Sequence, residues 1–76
     1  MSEQGPEYRV EFRIGFDDWM VWRGSVMIGM VMKSRKRPLF GGYSANGVCV
    51  GWYRTVVDAC EGVVDYYELM RGEIEL

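Results

Sequence analysis

Histidine is absent from this 76-residue chain. That removes imidazole acid–base catalysis and the commonest metal ligand together. Two cysteines, Cys49 and Cys60, are too few for a dense disulfide framework, and they lack the paired spacing of a zinc site. Long apolar runs are missing too. The longest, Val26 to Met32 (VMIGMVM), falls far short of the roughly twenty residues a membrane helix needs. The first residues, MSEQGPEYR, show no basic stretch followed by an apolar one, so no secretory signal is expected. Positive charge is not in excess: 9 basic against 11 acidic residues leave a net −2, which does not advertise a nucleic-acid or membrane binder. These absences point to a soluble chain in a reducing cytoplasm, with free thiols, no metal, no cofactor and no membrane partner.

What is present is the composition of a globular protein, 49% hydrophobic and 26% charged. A chain this short forms one domain, residues 1–76, and buries only about 60% of its extended surface. Tyr8, Val10, Phe12, Ile14 and Phe16 alternate with Arg9, Glu11, Arg13 and Gly15. Strict period two predicts a half-buried strand over 8–16, preceded by a flexible lead, 1–7. Asp17-Asp18 reads as a turn, Trp19–Arg23 as a second strand and Gly24-Ser25 as the next break. Val26–Lys33 reads as a third strand, with Gly29 marking a bulge or a close backbone approach. After a loop ending at Pro38, Leu39–Ser44 and Val48–Tyr53 flank Asn46-Gly47, the signature of a two-residue type I′ hairpin turn.

The period then changes. Thr55 suits an N-cap, and Val56, Ala59, Cys60, Val63, Tyr67 and Met70 fall on one helical face. The helix is expected over about 56–71, with Arg71 in its last turn and Gly72 as the residue that ends it. The fold expected is α+β: a four- or five-stranded antiparallel sheet packed by one C-terminal helix. The Tyr8–Phe16 face and the Val56–Met70 face are natural partners for each other.

Catalytic constellations are lacking. No serine or cysteine has a histidine to activate it, and Gly41-Gly42 sits in a hairpin arm rather than between a strand and a helix. Asp17-Asp18 is explained by turn chemistry, and both thiols by core packing. The chain is therefore read as a non-enzyme.

Three features remain. Lys33, Arg35, Lys36 and Arg37 concentrate positive charge in one loop, either simply solvated or placed to contact phosphate or an acidic protein patch. Arg9 and Arg13 extend that patch, partly neutralised by Glu11. On the helix, Asp58, Glu61, Asp65 and Glu68 form the opposite pole, an ordinary wet face or a surface that docks on a basic groove. Finally, three Trp, five Tyr, three Phe and six Met are more than one small core hides easily. Trp19, Trp22, Trp52, Tyr43, Tyr53, Tyr66, Met27, Met30 and Met32 are not all easily hidden: either some fill an uncovered sheet face that meets another protein or a second copy of this chain, or the sheet curls strongly and wraps its own core.

The segment Tyr53-Arg54-Thr55-Val56-Val57-Asp58-Ala59-Cys60 resembles the strand-to-helix junction of many small phage and prophage proteins. A similar junction occurs in AP2-type and integrase-arm DNA-binding domains, where a three-stranded sheet backed by a helix reads the major groove. That resemblance implies exposed Arg and Trp on the open face and a basic balance, whereas this sheet is rich in Met and Val. In size, composition and charge segregation the chain is also similar to phage-encoded inhibitors, anti-CRISPR proteins among them. The resemblance implies an inhibitor or modulator of a host nucleic-acid-handling complex, binding a host protein or ribonucleoprotein. A small DNA-binding accessory domain is the alternative.

Overall fold

The computed structural model describes residues 8–75. The lead 1–7, read above as flexible, lies outside them. Five strands, β1 (Arg9–Arg13), β2 (Asp18–Arg23), β3 (Val26–Lys33), β4 (Phe40–Ser44) and β5 (Cys49–Tyr53), precede one helix, α1 (Val56–Glu75). Each strand pairs antiparallel with its sequence neighbour, in the spatial order β1-β2-β3-β4-β5. The helix packs on one face of this meander, so the α+β architecture expected from the sequence is the one observed.

Apolar burial is concentrated in small side chains. Val21, Ile28 and Val31 from the sheet meet Ala59, Cys60, Val63 and Val64 from the helix. Tyr8, Trp19, Phe40, Tyr53, Val56 and Tyr67 close around this centre. Glycine lets the layers come close. A Cβ on Gly29 would overlap the Tyr43 carbonyl oxygen and lie 2.5 Å from Val63 Cγ1. On Gly42 it would lie 3.1 Å from Val63 Cγ2. Gly29 is thus the site of a close approach, with a bulge in the register opposite it at Val21/Trp22.

Four local expectations are corrected. First, the opening strand stops at Arg13. Ile14–Asp17 form a turn in which the Phe16 and Asp17 amides donate to the Arg13 carbonyl, 3.3 and 3.1 Å. Gly15 and Asp17 take positive φ there, +93° and +56°. Asp18 belongs to β2. Its carboxylate accepts two hydrogen bonds from the Arg13 guanidinium at 2.8 and 2.7 Å, clamping the hairpin. Ile14 and Phe16 consequently stay 88% and 69% exposed.

Second, the helix lies over β3, β4 and β5 rather than β1. Of the expected apolar face on β1, Tyr8 packs against the core, while Val10 and Phe12 remain largely uncovered. Third, the β4–β5 connection is not type I′, because Asn46 is not at positive φ. The Gly47 amide donates to the Ser44 carbonyl (2.9 Å) and Gly47 alone takes the left-handed conformation, at +89°. This is a three-residue loop with a glycine bulge. Fourth, the helix does not end at Gly72 but runs through it to Glu75, so Arg71 is not in the last turn. Its start is as expected, with the Asp58 amide donating to Thr55 Oγ1 at 3.0 Å.

Candidate functional site: the open face of the sheet

Cross-strand partners share a face, so the register identifies what the sheet presents on the side away from α1. One row runs Glu11, Met20, Met30, Tyr43, Cys49. The row beside it runs Arg13, Asp18, Met32, Gly41, Trp52, and a shorter one runs Arg9, Trp22, Met27. Charge is confined to the β1 side. The middle is methionine, and the β4–β5 side is aromatic.

The apolar side chains on this face are half-buried or exposed. Met32 is 41% and Trp52 51% exposed, while Met20, Trp22, Met30 and Tyr43 are intermediate. Trp52 and Tyr43 meet edge to face, centroids 6.4 Å apart, and fold over Gly41. The Arg9 guanidinium sits 5.4 Å above the Trp22 ring. Two register shifts build the patch. Counting by twos from Val31 would turn Met27 inward, and counting back from Trp52 would turn Cys49 inward. The shifts at Val21/Trp22 and at Gly42/Tyr43 reverse both.

Cys49 is therefore exposed, against the expectation that both thiols pack in the core. Cys60 does so: burial first, then the nearby Glu61 carboxylate, pushes its thiol up to about 11. At the edge of the open face the Arg13 hydrogen bonds, with a smaller contribution from its charge, hold the Asp18 carboxyl below the usual carboxylate range, outweighing burial. Tyr8 is raised, chiefly by burial and then by Cys60 and Glu61.

The helix carboxylates divide. Asp58, Glu61 and Asp65 line one shallow groove between α1 and β5, floored by Tyr53 and Gly62. Glu68 lies elsewhere, in an ion pair with Arg23 of β2. In the basic loop, Ser34 Oγ accepts from the Lys36 and Arg37 amides, both at 3.2 Å, and the Ser34 amide donates to the Leu39 carbonyl at 2.9 Å. Arg35, Lys36 and Arg37 project from this small frame and are exposed, as is Lys33 at the end of β3. Lys33 and Arg35 border a depression that also takes in Phe12, Phe16, Trp19 and Met32. Arg37 stands with Arg54 around Pro38 and Leu39.

Sequence reasoning did not name Met20, nor the Arg13–Asp18 pair. The signal was available in the parity of β2, where Asp18, Met20 and Trp22 alternate with Trp19, Val21 and Arg23. Among the described residues no cluster of three or more His, Cys, Asp or Glu is placed to hold a metal ion. No described helix is long and apolar enough to cross a membrane. No protein-family model, curated protein or solved structure matches this chain.

Proposed function

We propose that this chain is a non-enzymatic binding protein that docks a protein partner on its open sheet face. The observation that carries this reading is the uncovered patch of Met20, Trp22, Met30, Met32, Tyr43 and Trp52. Methionine and the large aromatics are the side chains enriched at protein interfaces, and methionine adapts its shape to what it meets. The partner class we favour is a nucleic-acid-handling protein or ribonucleoprotein of the host. Asp58, Glu61 and Asp65, set along one groove, would offer carboxylates to a basic channel where a nucleic acid offers phosphates. The similarity in size and charge segregation to phage-encoded inhibitors makes inhibition or modulation the expected consequence, with an anti-CRISPR or other anti-defence role as its most specific form.

The test is affinity capture from nuclease-treated bacterial lysate with the intact chain, Met30→Lys, and the triple reversal D58K/E61K/D65K. The wild type should retain nucleic-acid-handling proteins that M30K loses and the triple reversal holds less well. Identical retention by all three folded chains refutes the proposal.

The alternative, a DNA-binding accessory domain, draws on the exposed cluster Lys33, Arg35, Lys36 and Arg37, with Arg9 and Arg13 beside it. Two features of the sheet weigh against it: Arg13 is already engaged by Asp18, and the centre of the open face carries methionine. Retention on duplex DNA that falls steeply with added salt would decide in its favour. No shift at low salt removes it.

A further inference from the structure

We propose that two copies of this chain pair antiparallel along β1, edge to edge, to make one continuous sheet. This goes beyond the docking role above and does not depend on it. Among the described residues β1 is an edge of the sheet, bonded only to β2, so one flank of its backbone donors and acceptors faces no described strand. Edges are normally protected by bulges, proline or repelling charge. β1 pairs with β2 without a register shift and contains no proline, and its outward charges alternate in sign: Arg9, Glu11, Arg13.

That alternation selects one register. A two-fold axis through Val10 sets Arg9 opposite the partner subunit's Glu11, and Glu11 opposite the partner subunit's Arg9. On the helix side of the same strands it sets Val10 against the partner subunit's Val10 and brings Phe12 level with the partner subunit's Tyr8, the residue just before its strand. Val10 and Phe12 are 39% and 47% exposed because α1 covers the other end of the sheet. Pairing therefore joins two ion pairs on one side to apolar contact on the other, as an isologous interface requires. An axis through Glu11 or through Arg9 would instead oppose like charges. An axis through Phe12 would need Arg13, which is held by Asp18 at the end of the strand. The opposite edge, β5, is less suited to a second copy. It pairs through a register shift, and Asp58, Glu61 and Asp65 run along the adjoining groove.

The experiment is sedimentation equilibrium across concentration on the full chain and on Arg9→Glu, Glu11→Arg and the double variant R9E/E11R. Each single reversal turns both facing pairs into like-charge pairs and should weaken the dimer about tenfold or more. The double variant exchanges the charges and should restore the wild-type dissociation constant. A wild type that stays monomeric at millimolar concentration overturns the proposal, as does a dimer indifferent to the single reversals or one that the double variant fails to restore. If a reversal unfolds the chain by circular dichroism, Glu11→Gln decides: it must weaken the dimer severalfold, and unchanged association refutes the pairing.

Discussion

Replacing Gly29 by alanine tests how the two layers are held together. In a strand interior alanine is normally the better residue, by about 0.5–1 kcal/mol, because glycine loses more backbone freedom on folding. Here the added methyl has no room. It would overlap the Tyr43 carbonyl oxygen and lie 2.5 Å from Val63 Cγ1, against the roughly 3.5–4.0 Å of ordinary carbon contact. One obstacle is backbone, so no rotamer change relieves it; α1 or β4 must move by about 1 Å. Overpacking of this kind costs about 1–3 kcal/mol. With a backbone obstacle the upper part of that range applies, and after subtracting the propensity gain the expected net loss is about 2 kcal/mol. A domain of 76 residues has a total stability on the order of 4–11 kcal/mol, so the loss is readily measured. Urea unfolding followed by tryptophan fluorescence should show a lower midpoint at unchanged slope, and the melting temperature should fall by about 10 °C. Gly42→Ala is the comparison. Its new Cβ would stand 3.1 Å from Val63 Cγ2 and 3.3 Å from the Ala59 carbonyl oxygen, so a few tenths of an ångström suffice and the loss should be smaller. A G29A chain as stable as the wild type, or one less affected than G42A, would refute the packing argument.

Three further outcomes follow from the charges and thiols. Asp18→Asn should lower stability at pH 7 and reduce its dependence on pH. The folded-state pKa of Asp18 is depressed by Arg13, so its contribution is present above the unfolded value of about 3.9 and is lost as pH falls through the folded one. Urea midpoints of wild type and D18N should therefore converge in acid, and a constant gap would contradict the pairing. A thiol reagent should modify Cys49 quickly in the native chain and Cys60 only on unfolding, because one is exposed and the other buried. Two equally fast thiols would refute that arrangement. In alkali, the raised Cys60 pKa makes its neutral thiol a source of stability that is complete below its ordinary value of 9.0 and lost as pH rises toward about 11. Cys60→Ala should be less stable at neutral pH and show a shallower decline over that window. An unchanged decline would assign the alkaline loss to other groups.

The helix and the opening strand were legible because each rests on a period, 3.6 in Val56–Met70 and 2 in Tyr8–Arg13, whereas the remaining strands, expected as three or four, were legible from their length and the turn residues that bound them. Three other features depend on backbone events that a side-chain pattern does not encode. The apolar alternation of Tyr8–Phe16 continues unbroken into a turn, since Ile14 and Phe16 keep the rhythm while Gly15 changes the chain's direction. The register shifts at Val21/Trp22 and Gly42/Tyr43 invert the parity of Met27 and Cys49, so counting by twos assigns both to the wrong face. At the C-terminal end, Gly72 permits a stop but does not compel one. A glycine inside a helix costs about 1 kcal/mol, and no proline follows to enforce the break. The charged candidates were legible as groups but not as geometry. The sequence places Glu68 beside Asp65 on the wet face, whereas the fold turns it toward Arg23 and leaves Asp58, Glu61 and Asp65 as the row.

The two sides of the sheet serve opposite physical needs. On the helix side, glycine, alanine and valine bring the layers together so closely that one methyl group is felt, which fixes the backbone of β3 and β4. On the other side the same strands carry Met30, Met32 and Tyr43, long side chains on a closely packed support. A partner meeting that face would rearrange rotamers and leave the sheet in place, so the ordering cost is confined to a few side chains. The proposed edge pairing along β1 would compound the effect. A two-fold axis perpendicular to the sheet leaves both helices on one side and both methionine faces on the other. The dimer would present two copies of the docking face in one plane, and an extended partner could engage them together with an avidity beyond either face alone. In that proposed assembly the closely packed helix side, the alternating charges of β1 and the open methionine face would be three parts of one arrangement: a support, a self-complementary edge and an adaptable surface.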